Sequence, residues 1–292
     1  MPVKKSLLFL LLLLLTWPGW ALADTDLAAA RKFNEGCLRC HGAQGLHTRS
    51  NGQKISLYVD ESKYFSSIHG TNRCTTCHTD ITDYPHVGAK TGAELRRLVE
   101  SNCRRCHDYI TRVYDQSAHG LARRQGKPTA LCQDCHGKHD IRKKEDPLAH
   151  TSGRNQTASC TASGCHSGRI KESYTESFHG KAVDLGGTKA ATCSGCHGSH
   201  NILGPKDPAS PVNKVNVPQT CAKCHFRAEP NFAKGTEHFL LEKEGPGSPM
   251  YYTLKFFVWL TISVMVLLTI HMELELYRKW KAAKGGGSYG SH

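Results

Sequence analysis

Two stretches of this chain are apolar almost without interruption, and nearly everything between them is polar. The first runs from Leu7 to Leu15, behind Lys4 and Lys5 and ahead of Ala21-Leu22-Ala23. Its length is nearer ten residues than twenty, and it ends in Trp17-Pro18-Gly19-Trp20. It therefore reads as a secretory signal over residues 1–23, cleaved before Asp24. The second run, Phe256 to Met272, carries no ionisable residue except His271 and is extended by Met250, Tyr251, Tyr252 and Leu254. As a helix over 250–273 it spans roughly 30 Å, enough to cross a bilayer. Tyr251, Tyr252 and Trp280 suit the two interfaces. Arg278, Lys279, Lys281 and Lys284 place the 274–292 tail in the cytoplasm, so that residues 24–249 face the periplasm from the inner membrane. The tail's end, from Gly285 to His292, is expected to be disordered.

Between the two runs there is no alternating strand pattern, and Gly, Ser, Thr, Lys and His are abundant. Short amphipathic helices are expected over Asp26–Glu35 and Glu94–Asn102, the latter with Leu95, Leu98 and Val99 on one face. The fold class is thus mainly α and irregular, with little or no sheet. Such a composition does not supply an ordinary apolar core, so something other than side chains has to fill the interior.

The fourteen cysteines say what. They form seven pairs, each followed at once by histidine: Cys37/Cys40-His41, Cys74/Cys77-His78, Cys103/Cys106-His107, Cys132/Cys135-His136, Cys160/Cys165-His166, Cys193/Cys196-His197 and Cys221/Cys224-His225. Six have two residues between the cysteines; the fifth has four. Structural zinc needs four ligands per ion and does not demand a histidine after every second cysteine. A disulfide framework suits an exported chain with an even cysteine count, but it too leaves the histidines unexplained. The pattern is the attachment signature of c-type haem. The chain resembles the membrane-anchored multihaem cytochromes c of anaerobic respiratory chains, and the resemblance rests on these seven motifs. It implies seven covalent haems c, with His41, His78, His107, His136, His166, His197 and His225 as proximal iron ligands. A haem-cored domain over 24–249 follows, the polypeptide wrapped around large apolar plates.

A repeat lies underneath the motifs. Tyr64-x-x-Ser67-x-His69-Gly70 recurs as Tyr114-x-x-Ser117-x-His119-Gly120 and Tyr174-x-x-Ser177-x-His179-Gly180. Cys135-His136-Gly137-Lys138-His139-Asp140-Ile141 is echoed by Cys196-His197-Gly198-Ser199-His200-Asn201-Ile202, and each precedes an Asp-Pro, at Asp146-Pro147 and Asp207-Pro208. Three two-haem modules are expected, near 27–90, 94–155 and 156–215, with a terminal haem over 216–240. The histidines outside the motifs then supply seven distal candidates: His69, His86, His119, His139, His179, His200 and His238. A second imidazole would close each iron and leave no seat for substrate. In the Tyr-x-x-Ser-x-His-Gly element the expected conformation is a helix whose last turn presents the histidine, with the glycine as a left-handed cap. His139 and His200 stand too close to their own motif histidines to serve the same iron and are expected to reach a neighbouring one. His47 and His150 have no counterparts in the other modules. His271 invites a functional reading, as a b-haem ligand or part of a quinone site, but so near the interface the plainer snorkelling reading is preferred.

Charge adds little to this picture. The formal +13 falls to +11 once Lys4 and Lys5 are removed with the signal. Haem propionates would lower it further, to roughly +4 in the oxidised state, which weakens any argument for nucleic acid as a partner. The resemblance implies an electron carrier rather than an enzyme, linking the quinone pool, through a quinone-reactive membrane subunit, to a periplasmic redox partner. The terminal haem is expected nearest the membrane. Quinol dehydrogenases of this kind carry an N-terminal anchor, and the C-terminal one here separates the chain from that group. The competing reading is a multihaem reductase of a small nitrogen or sulfur oxyanion, which would need one haem without a distal ligand.

Overall fold

The computed structural model describes residues 19–285 apart from 51, 87, 163, 232, 233, 236 and 237. Most of the expected signal, residues 1–18, and the tail from 286 onward lie outside the described residues. The chain is mainly helical, with one two-stranded sheet among the described residues.

The first motif is delivered by α1 (Gly19–His41), which begins well before the expected Asp26 and runs across the predicted cleavage point. A hairpin follows, β1 (His47–Ser50) paired antiparallel with β2 (Gln53–Ser56) in the register His47 to Ser56. Two short helices come next: α2 (Glu61–Phe65), capped by the Asp60 carboxylate on the Ser62 and Lys63 amides, and α3 (Cys74–Cys77). In the second module, α4 (Gly92–Cys106) runs directly into α5 (Asp108–Asp115), then α6 (Ala118–Arg124) and α7 (Cys132–His136). The third has a 3-10 turn at Gly153–Asn155, α8 (Gln156–Cys160), α9 (Arg169–Glu176), α10 (Phe178–Asp184) and α11 (Cys193–His197). The seventh motif starts in α12 (Val217–Ala222), and α13 (Ser248–Lys284) closes the described chain.

The side-chain core is thin. Among the described residues its one cluster is Ala30, Leu38, Tyr64 and Phe65, where α1 meets α2, with Leu27 and Val59 against it. Beyond these, the described apolar residues that are buried are Leu131, Ala149 and Val183. Several fully buried side chains are polar instead: Glu100, Asn34, Ser117 and Ser210. Each is bonded, as burial requires. The Asn34 amide donates to the Asn72 carbonyl while its oxygen accepts from the Cys74 amide. Glu100 accepts from Arg104 at 2.5 Å and from Arg123 at 2.5 and 2.9 Å, and Arg104 also grips Asp115 at 2.5 and 2.8 Å. The network ties α4 to α5 and α6.

The repeated Tyr-x-x-Ser-x-His-Gly element takes a different shape from the expected capped helix end. In the second and third copies it is a junction between two helices. Ser117 and Ser177 cap α6 and α10, accepting from the Gly120 and Gly180 amides, so His119 and His179 stand in the first turn of the new helix. The glycines are not left-handed. A Cβ on Gly70, Gly120 or Gly180 would stand 2.6, 2.1 or 2.0 Å from the carbonyl oxygen of Phe65, Tyr114 or Tyr174, so the residue is small because the preceding turn crosses it. The tyrosines hold the register: Tyr64, Tyr114 and Tyr174 donate to the carbonyls of Asn72, Ala130 and Ala191, each two residues ahead of the module's second motif.

Neighbouring modules are joined by equivalent backbone bonds. The Ile68 amide donates to the Ile141 carbonyl, and the Ala118 amide to that of Ile202. The Asp-Pro connectors repeat as well, with Asn155 and Asn216 donating to the Pro147 and Pro208 carbonyls.

Helix α13 is long and apolar enough to span a membrane. At 37 residues it is about 55 Å long and continues past the apolar segment through the basic stretch expected to be a tail. Leu274, Leu276, Ala282 and the lysines favour helix, and Gly285 ends it.

Candidate metal and cofactor centres

The first and third motifs end the long helices α1 and α4, and the others lie in short helices or the turns that follow them. The fourteen cysteines are all unpaired with one another as disulfides. Within every module the leading cysteines of the two motifs are in hydrogen-bonding contact: Cys37 with Cys74, Cys103 with Cys132, and Cys160 with Cys193. Cys106 also stands near Cys77, and Cys160 and Cys165 near Cys135, so the motifs follow one another in chain order across the first two module junctions.

Cys40 and Cys224, the second cysteines of the first and last motifs, are exposed, as are Cys106, Cys135 and Cys165, whereas the leading cysteine of every motif is half-buried. The leading thiols thus line the inside of the row and most of the second ones its outside.

Every motif histidine faces one histidine from outside the motifs. The pairs are His41–His86, His107–His69, His78–His139, His166–His119, His136–His200, His225–His179 and His197–His238, with ring centroids 5.9 to 6.2 Å apart. All seven distal candidates are used, each once. The spacing has a simple reading. A metal–imidazole bond is about 2 Å and the ring centroid lies about 1 Å behind its nitrogen, so two rings on opposite sides of one ion stand about 6 Å apart. Among the described residues no group of three or more His, Cys, Asp or Glu side chains converges as a cage. The imidazoles come together in twos, each beside its own cysteine pair, which fits an ion whose four remaining positions are filled by a planar macrocycle.

The pairing crosses the modules in both directions. The first motif of the second module, at His107, is completed by His69 of the first module, whereas the first module's second motif, at His78, is completed by His139 of the second. The next junction repeats this with His166–His119 and His136–His200, and the last with His225–His179 and His197–His238. Only His41–His86 closes inside one module.

Burial favours the ligand form in seven of these rings. It pushes His139 down to about 4, with the nearby His78 adding to the effect, and it lowers His69, His78, His119, His136, His197 and His200 as well. In these seven the shift favours the neutral ring at pH 7, with a lone pair to offer. Which nitrogen offers it is set by the other. The Nδ1 of His41 lies 2.8 Å from the Leu57 carbonyl, to which it can only donate, which leaves Nε2 for a metal. His238 Nδ1 lies 3.2 Å from Ser173 Oγ.

Two of the remaining described histidines are engaged elsewhere. His47 Nδ1 meets the Gly45 carbonyl, and His150 Nε2 lies 3.3 Å from Asp140. His271 is exposed on α13. Ser173 and Leu57 carry no sequence signal for these contacts: neither belongs to a repeat, and a backbone carbonyl leaves no residue signature. Comparisons with family models, with curated proteins and with solved structures returned no match.

Proposed function

We propose that the chain is a membrane-anchored electron-transfer protein that binds seven covalent haems c and relays electrons between the membrane quinone pool and a periplasmic redox partner. The observation that carries the proposal is the one-to-one facing of seven motif histidines and seven others at the separation two axial ligands require. Haem bound there would supply a reversible one-electron couple, with each facing pair of imidazoles available to hold its iron. The protein's own contribution is to set the imidazoles in facing pairs, to favour the neutral form in the more buried ones, to orient His41 and His238 through Leu57 and Ser173, and to line up the cysteine pairs. The thin side-chain core favours the same reading, because seven porphyrins would fill the interior that the apolar residues leave open.

Helix α13 is the proposed anchor in the inner membrane, with the haem domain on the periplasmic side and a quinone-reactive subunit as its membrane partner. A reductase of a nitrogen or sulfur oxyanion would need a motif histidine facing open space, and all seven face a ring. Mass spectrometry and haem staining of the purified protein test the reading: seven haems are expected, with residue 24 at the N-terminus. Low-temperature electron paramagnetic resonance of the oxidised protein should show low-spin ferric haem alone. A high-spin signal worth one haem refutes the closed relay and favours the reductase.

A further inference from the structure

We infer that the membrane tether is itself part of the sixth haem site, with His238 as its distal ligand and Ser173 as the residue that positions it. The inference rests on the haem reading above.

His238 lies ten residues ahead of Ser248, where α13 begins, and outside every repeated element. Four observations show that the segment is built rather than slack. Its ring stands 6.1 Å from that of His197, in the sixth motif. Its backbone is left-handed at φ 57°, an uncommon conformation for a non-glycine residue. Arg169, at the start of α9, forms a two-pronged ion pair with Glu242 at 2.9 and 3.1 Å, four residues further along the tether. The chain then folds back so tightly that a Cβ on Gly247 would lie 1.8 Å from the Leu240 carbonyl oxygen.

Ser173 supplies the orientation. It is a buried residue of α9 whose hydroxyl donates to the Ile170 carbonyl at 3.0 Å. With its proton so committed, the oxygen can only accept from His238 Nδ1, 3.2 Å away, which leaves the Nε2 lone pair free for iron. The other distal histidines of the second and third modules, His119, His139, His179 and His200, are half-buried in repeated elements, whereas His238 is exposed. The sixth site is thereby the one whose closure depends on the segment that leads into the membrane.

The test uses the full-length, haem-loaded protein and reads the spin state rather than electron transfer. His238→Ala should convert one haem in seven to high-spin, reversed by added imidazole. The signal should disappear when Cys193 and Cys196 are also replaced, because the haem that bears it is then absent. Ser173→Ala should keep seven low-spin haems but shift the resonance and the reduction potential of one of them; Ser173→Thr, which retains the hydroxyl, should restore both. If His238→Ala stays fully low-spin, or its high-spin signal survives loss of Cys193 and Cys196, the assignment is overturned. An unchanged spectrum and potential in Ser173→Ala overturns the positioning role, and that variant carries the test alone should His238→Ala fail to accumulate. Wild-type protein with fewer than seven haems, or with a high-spin haem of its own, would instead refute the reading on which this rests.

Discussion

Replacing His139 with alanine separates the crossed pairing from any arrangement in which each module completes its own sites. His139 follows His136 by three residues and belongs by sequence to the fourth motif, yet its ring stands 6.2 Å from that of His78, in the second. The variant should therefore open the second site alone. One haem in seven, about 14% of the total iron, should become high-spin, with water in the vacated axial position. The fold should survive, because the same junction keeps the His69–His107 pair and the Ile68–Ile141 backbone bond. Spin quantification by electron paramagnetic resonance measures the fraction, and removal of individual haems locates it. Combined with Cys74→Ser and Cys77→Ser, the variant should show no high-spin signal; combined with Cys132→Ser and Cys135→Ser, it should show the full one. The reverse result refutes the crossed pairing, since the open iron would then belong to the fourth motif.

Three further outcomes follow from the same geometry. Gly120→Ala and Gly180→Ala would ordinarily stabilise a helix by up to about 1 kcal/mol, but here the added methyl meets a carbonyl oxygen near 2 Å. A loss of about 1–3 kcal/mol is expected in denaturant unfolding, with partial opening of the His166 or His225 site. Glu100→Ala leaves Arg104 and Arg123 without their buried carboxylate, and unfolding free energy should fall by about 3–5 kcal/mol; a change below about 1 kcal/mol would show that the network carries little. The Arg104 hydrogen bond holds Asp115 below the usual carboxylate range, so the folded state binds that proton less readily than the unfolded chain. Its stabilising contribution is complete above the unfolded value, about 3.9, and is lost as pH falls through the lower folded value. Asp115→Asn should flatten the acid limb of a stability profile followed by circular dichroism.

Much of the site was legible because its chemistry is written in adjacent residues. Cys-x-x-Cys-His carries its own register, and the Tyr-x-x-Ser-x-His-Gly copies put His69, His119 and His179 in equivalent places. The fold class and the long C-terminal helix were legible for the same reason, as composition and run length. What could not be read was set by contacts distant in sequence. The glycine of the repeat looks like a helix cap, but its size is dictated by a carbonyl five or six residues back, in the preceding turn. The tyrosine recurs visibly, while its partner is a backbone carbonyl at Asn72, Ala130 or Ala191, where residue identity is free to vary. The hairpin escaped notice because Thr48, Arg49, Lys54 and Ile55 offer no alternating apolar face.

The crossed pairs also account for the two distal histidines that fit no repeat. In an array where each unit lends a ligand to the next and borrows one back, the interior sites are built by recurring elements. An end site needs a substitute. Residues 42–60 have no counterpart in the second module, where α5 begins directly after His107. In the first module they place the Leu57 carbonyl on His41 Nδ1 and donate from the Val59 amide to the His41 carbonyl, and His86 comes from the same module. The first site is thus closed locally. At the other end the lender to His197 is not a fourth module but the tether, through His238. Irregular sequence at both positions therefore accompanies the regularity of the interior: the same facing of two imidazoles, met with different material outside the repeated elements.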